Sequence, residues 1–172
     1  MTVLVPALLA ALVSGPWAAL HRPLHLPALA AGAPCPVSPI GRIDFAKYGV
    51  AKGIGPGPAY PVGFAQPGSV LQFIYPPAGE FAGSDWAGQK VLWFVAPSYR
   101  GPVLIRGGRL DARGTLRFES GKVPPVELRI PATNRALRYR PSYTRLRAPG
   151  CYAYQIDGTT FSRVIVFAAA TV

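Results

Sequence analysis

The stretch 151–167, CYAYQIDGTTFSRVIVF, decides the fold. Two runs rich in aromatic and β-branched residues, 151–156 and 161–167, flank Asp157-Gly158-Thr159-Thr160. Such runs around an Asp-Gly pair predict a β-hairpin. Working outward, the same rhythm recurs. Runs at 70–75, 90–95 and 102–106 sit between turn signals such as Pro67-Gly68, Pro76-Pro77 and Tyr99-Arg100-Gly101. The segment 115–119 alternates, with Leu116 and Phe118 on one face, and 126–130 places Val126, Leu128 and Ile130 on one face against Glu127 and Arg129. The pieces 137–140 and 143–147 read as two further short alternating strands. KVLWFV at 90–95 is apolar on both faces, which suits a central strand and makes Trp93 a core residue. Trp86, beside Asp85 in a glycine-flanked loop, is expected to be the exposed aromatic. No window of 11 residues after position 30 carries a helical period. Eight or nine short strands predict an all-β protein, an antiparallel two-sheet sandwich.

Composition agrees. Of 172 residues, 19 are Gly and 20 are Pro, which argues against an all-helical chain because both interrupt helices. Half the residues are hydrophobic, enough for a sizeable core. The chain divides into a leader at 1–30, a Pro/Gly-rich extended lead-in at 31–67 with a short strand near 59–62, and the sandwich at 68–172.

The stretch 141–167 resembles the last strands of bacterial immunoglobulin-like domains. The resemblance lies in the Pro149-Gly150 turn, Tyr152 and Tyr154, the Gly158 hairpin and the final apolar run 164–167. The segments WxGxKVLW (Trp86 to Trp93) and YRGPVLIRG (Tyr99 to Gly107) are similar to those of a wider family of exported bacterial proteins. This resemblance implies an immunoglobulin-like sandwich and no particular activity. Trp93 lies 58 residues from each cysteine, and Pro149, not Tyr, stands two residues before Cys151, so the tyrosine corner of antibody-type domains is missing.

Residues 1–20 hold no charged side chain, and the run 3–13 has the length of a signal-peptide core. Ala28-Leu29-Ala30 offers a cleavage site, although it lies far from Val13 and no basic residue precedes the apolar run. An uncleaved anchor is the alternative, since 20 apolar residues just span a bilayer. Either route predicts an exported protein, secreted or associated with the cell envelope. Lipidation at Cys35 is disfavoured by Gly32 and Pro34. The two cysteines, Cys35 and Cys151, are expected to form a disulfide rather than stay as free thiols.

Several chemistries are absent. His21 and His25 are the only histidines, and cleavage at Ala30 removes both, and with them imidazole-based nucleophile activation and zinc ligation. The seven carboxylates are Asp44, Glu80, Asp85, Asp111, Glu119, Glu127 and Asp157. Asp111 and Asp157 read as turn residues, and Glu119 and Glu127 as outward strand positions; Glu80 with Asp85 is the pair left for glycoside chemistry. Gly53-Ile54-Gly55-Pro56-Gly57-Pro58 reads as a rigid extended segment, because its prolines lack the N–H groups a phosphate loop uses. Arg106-Gly107-Gly108-Arg109 reads as a turn. No cofactor or metal site is expected, and the chain reads as non-catalytic.

Arginine is the remaining signal. Residues 100–147 hold 12 of the 18 Lys+Arg and three acids, so +9 of the net +11 falls in this segment. Arg138 and Arg140 share one strand face, and Arg145 and Arg147 share another with Tyr143. If the two pieces are neighbours, four guanidiniums and a phenol form one anion patch, since Arg pairs bidentately with carboxylate and phosphate. A binding or adhesion module for anionic envelope polymers or lipid headgroups is the leading expectation, without specific nucleic-acid recognition. The alternative is a structural or accessory domain that pairs with another envelope protein, its arginines reflecting only a GC-rich composition.

Overall fold

The computed structural model describes residues 15, 17–65 and 68–172. The apolar run 3–13 lies outside the described residues. Among the described residues nine strands run in chain order: β1 (Ala59–Val62), β2 (Val70–Phe73), β3 (Ala87–Val95), β4 (Val103–Arg109), β5 (Arg117–Phe118), β6 (Leu128–Ile130), β7 (Arg138–Leu146), β8 (Gly150–Gly158) and β9 (Ser162–Thr171). They form a four-stranded sheet, β1-β3-β7-β5, and a five-stranded sheet, β2-β9-β8-β4-β6. Every pairing is antiparallel except β2 with β9. Helix among the described residues is limited to three single 3-10 turns, and none is long and apolar enough to cross a membrane.

The sheets pack face to face because alternation gives each an apolar side. Val91, Trp93 and Val95 of β3 share one core with Tyr152, Tyr154 and Ile156 of β8 and with Ile165 and Phe167 of β9. Trp93 is fully buried and meets Tyr154 edge-on, ring centres 5.0 Å apart. The Tyr154 hydroxyl, pushed up in pKa by burial, shares a 2.7 Å hydrogen bond with Thr144 Oγ1, so its polar end is satisfied inside the core.

Residues preceding β1 cover the outer faces. Residues 43–50 lie over the first sheet, where Phe45 and Tyr48 pack on Tyr60 and Phe94. This second small core explains why 90–95 is apolar on both faces. Leu26, Leu29 and Cys35 pack on Cys151, Ala153 and Val166, the outer side of β8 and β9. Cys35 and Cys151 are joined, Cα atoms 5.4 Å apart. A bridge of this kind fits an extracytoplasmic domain. Closing 116 residues of chain stabilises by roughly 4–5 kcal/mol in the chain-entropy account.

Four local expectations are corrected. The pieces 137–140 and 143–147 form one strand: β7 pairs with β3 without interruption, through Pro141 opposite Leu92. The Arg106-Gly107-Gly108-Arg109 run lies within β4 and is not a turn. A Cβ on Gly107 would collide with the Ala153 carbonyl oxygen and stand 2.7 Å from Leu116, so only glycine admits this approach. Val126 is exposed, because β6 pairs only from Leu128 onward. Asp157 is no solvated turn residue. It is fully buried at the end of β8 and accepts hydrogen bonds from Ser162 Oγ (2.6 Å), Arg106 Nη2 (2.8 Å) and Gln155 Nε2 (3.0 Å).

Two outcomes follow from this packing. Trp93→Ala empties the centre of the core and is expected to cost about 3–5 kcal/mol, read by equilibrium unfolding in urea; wild-type stability would contradict the packing. Burial pushes the Asp157 carboxyl up, but the hydrogen bonds from Ser162, Gln155 and Arg106 outweigh it and hold its pKa below the ordinary value. Its stabilisation is therefore complete above the unfolded-state pKa, about 4, and is lost as pH falls through the lower folded value. Asp157→Asn should flatten the acid limb of the stability–pH curve, and an unchanged limb would show that other carboxylates set it.

Candidate functional site

The five residues expected to form one patch do not do so, and the reason is parity. In a single strand residues alternate sides, so Arg138 and Arg140 face opposite to Tyr143 and Arg145. Arg138 is buried and donates to the carbonyl oxygens of Gly101 (2.9 Å), Pro131 (2.9 Å) and Tyr99 (3.0 Å). Arg140 is exposed and paired with Glu119. Tyr143 packs edge-on against Phe81, and the Glu80 carboxylate beside its hydroxyl raises its pKa.

Arg145 is fully buried. Its guanidinium donates to the carbonyl oxygens of Trp86 (2.5 Å), Gly121 (3.0 Å), Ala87 (3.2 Å) and Glu119 (3.2 Å) and to Ser84 Oγ (3.2 Å). The Phe81 ring covers it at 4.2 Å. Burial pulls the pKa of both Arg138 and Arg145 down, yet arginine keeps its charge at any ordinary pH. These two side chains hold loops in place and are not offered to a ligand.

Arg147 is different. It follows β7, stays exposed, and belongs to a cavity of about 310 Å³ whose other principal walls are Trp86, Arg109, Arg113, Arg117 and Tyr152. Arg109 ends β4, Arg113 rides the reversal closed by the Gly108–Thr115 bridge, and Arg117 opens β5. Three arginines four residues apart are thus folded back on one another, and the end of β7 adds the fourth. The guanidinium carbons of Arg147 and Arg117 lie 4.4 and 5.2 Å from the Trp86 ring, and that of Arg109 lies 5.9 Å from the Tyr152 ring. Stacking of this kind fixes a guanidinium, and the N–H groups not already used by Asp111, Pro124 or Asp85 are left for an anion. Trp86, expected to be exposed, is buried beneath these arginines.

Two carboxylates face the four guanidiniums. Asp111 accepts from Arg109 Nε at 2.6 Å, and this bond, the largest influence on it, holds its pKa below the usual carboxylate range. Asp85 stands 3.4 Å from Arg147 and is highly exposed, so it adds little to stability. The cavity is therefore positive, walled by aromatic rings, and suited to an oxyanion. Of the expected patch it contains Arg147 alone. The signal that marks it in the sequence is the spacing Arg109, Arg113, Arg117 across the Asp111-Ala112-Arg113-Gly114 reversal.

No family model, no curated protein and no solved structure matches the chain.

The two classes of arginine are separable by experiment. Arg145→Met leaves four carbonyl oxygens without their donor, at about 1–3 kcal/mol for each that stays buried and unsatisfied. It is expected to lose at least about 3 kcal/mol in urea unfolding, whereas Arg147→Gln should stay within about 0.5 kcal/mol of the parent. Similar values for both would remove the distinction.

Proposed function

We propose that this chain is an exported, non-catalytic domain of the cell envelope, an immunoglobulin-like sandwich that binds an anionic polymer at the Arg109–Arg113–Arg117–Arg147 cavity. The observation that carries the reading is the convergence of four guanidiniums from three separate elements, two of them stacked on Trp86, on a cavity with two carboxylates at its edge. Solubility does not require such convergence; scattered charges serve it equally well. Strand order supports the immunoglobulin-like reading. Taken as A, B, E and D, strands β1, β3, β7 and β5 follow the ABED order of that fold, and β4, β8 and β9 follow its CFG order. β2 and β6 are additions at the two edges of the second sheet.

The ligand class follows from the donors. Arginine forks match carboxylate and phosphate oxygens, and outside the cytoplasm these occur on acidic glycopolymers and lipid headgroups. The polymer is favoured because the arginines line a recess rather than a protruding surface. The second reading, an accessory domain pairing with another envelope protein, is favoured by one feature, a mainly apolar cleft of about 610 Å³ between Ile40, Ile43, Pro56 and Tyr60.

The test compares two variants of equal charge. Arg109→Gln/Arg113→Gln/Arg147→Gln is expected to weaken binding to a polyuronate and to an anionic phosphopolymer at least about tenfold at physiological salt, on the scale of about 1 kcal/mol per basic side chain at an anionic surface. Arg42→Gln/Arg135→Gln/Arg163→Gln, which changes exposed arginines elsewhere, should leave binding nearly unchanged. Equal losses in both would mean that net charge alone attracts the polymer. Binding to anionic vesicles with none to either polymer would assign the cavity to lipid headgroups.

A further inference from the structure

We propose that residues 17–30 are kept in the mature protein as a strap across the outer face of β4, β8 and β9, so that any export leader is cut upstream of Trp17. Two independent observations carry this. The first is in the sequence: the apolar run ends at Val13, far from the Ala28-Leu29-Ala30 site, whereas signal-peptide cleavage follows closely on the apolar core.

The second is the fit of the segment to the sheet. Leu20 is fully buried. Arg22 Nη1 donates to the Phe161 carbonyl oxygen at 2.7 Å and lies 3.4 Å from the buried Asp157, while the Arg22 carbonyl oxygen accepts from Arg106 Nη2 at 2.6 Å. Gln155, buried on β8, uses both ends of its amide here: it donates to the Pro23 carbonyl oxygen at 2.9 Å and accepts from the His25 N–H at 2.7 Å. His21 Nε2 lies 2.7 Å from Glu127, and Arg129 lies over the Trp17 ring at 5.3 Å.

Removal at Ala30 would strip this face. Gln155 would lose two of its three partners, and the outer side of Ala153 would lose Leu26. A discarded leader has no need of a buried leucine, a buried-carboxylate partner and a main-chain match to one glutamine. A retained strap needs all three. The strap then runs on to Cys35, where the disulfide fixes its far end. The inference rests on the export reading only for the cleavage step.

The experiment takes the full chain, expressed with its own N-terminus in a bacterium. Cell fractionation reports on export. The first residue of the recovered protein, by N-terminal sequencing and intact mass, reports on the strap. A start at or before Trp17 is expected; a start anywhere from residue 18 to 31 overturns the proposal. Leu20→Ala gives a readout independent of export. In a retained strap it lowers the melting temperature of the recovered protein by roughly 5–15 °C. If the segment is discarded, parent and variant yield the same mature protein and melt together, and that result also overturns the proposal.

Discussion

The buried guanidinium of Arg145 is the interaction on which this fold depends. It ties β7 to the first residue of β3, to the segment preceding it and to the turn after β5 through four carbonyl oxygens and one hydroxyl. The need for such a device follows from composition. Each of the 20 prolines contributes a carbonyl acceptor and no N–H donor, and the loops are too irregular to pair their carbonyls in a ladder. Arginine carries five N–H groups on a planar fork and accepts none, which makes it an efficient donor for surplus acceptors. Arg138 does the same for the carbonyls of Tyr99, Gly101 and Pro131, and Arg117 for that of Pro124. The high arginine content is thus partly a structural complement to the high proline content.

This divides the net charge into two parts. Buried arginines hold loop geometry, and their charge is spread over carbonyl dipoles rather than carboxylates. Exposed ones meet solvent, a surface carboxylate, as Arg140 meets Glu119, or a ligand. The two parts are connected at Trp86. Its carbonyl accepts from Arg145, while its ring carries Arg117 and Arg147. The cavity therefore inherits its rigidity from the clamp behind it: the ring that positions two of the four guanidiniums is itself positioned by a fifth. A site whose side chains are held in advance loses less entropy when it binds.

Much of the fold was legible because it depends on period two. The hairpin at 157–160, the inward faces of Leu116 and Phe118, the core position of Trp93 and the Cys35–Cys151 bridge all follow from alternation, turn chemistry or cysteine count. The arginine site was not legible, for one specific reason. Read as two separate pieces, 137–140 and 143–147 share no alternation, which leaves Arg138, Arg140, Arg145 and Arg147 free to face one way. In the structure Pro141 sits within one paired strand opposite Leu92, so even and odd positions separate. Trp86 was misplaced because its cover, Arg117 and Arg147, comes from 31 and 61 residues away in the chain. No local pattern reports such a contact.

The segment before β1 illustrates the same limit from the other side. Read alone, Pro/Gly-rich sequence suggests a linker. Here residues 17–35 lie over one sheet and residues 43–50 over the other, and the chain crosses between them at Ser38, which exchanges hydrogen bonds with Val166 on β9. Proline and glycine suit this task. A covering segment that joins no ladder gains little from donors along its length, and proline reduces the entropy lost on ordering it. A sandwich with apolar patches on its outer faces would otherwise present them to solvent or to other chains. The residues preceding β1 thus cover both faces and, with Tyr60, wall the apolar cleft at Ile40, Ile43 and Pro56, while the arginine cavity is built where β4 ends, β5 begins and β7 has just ended.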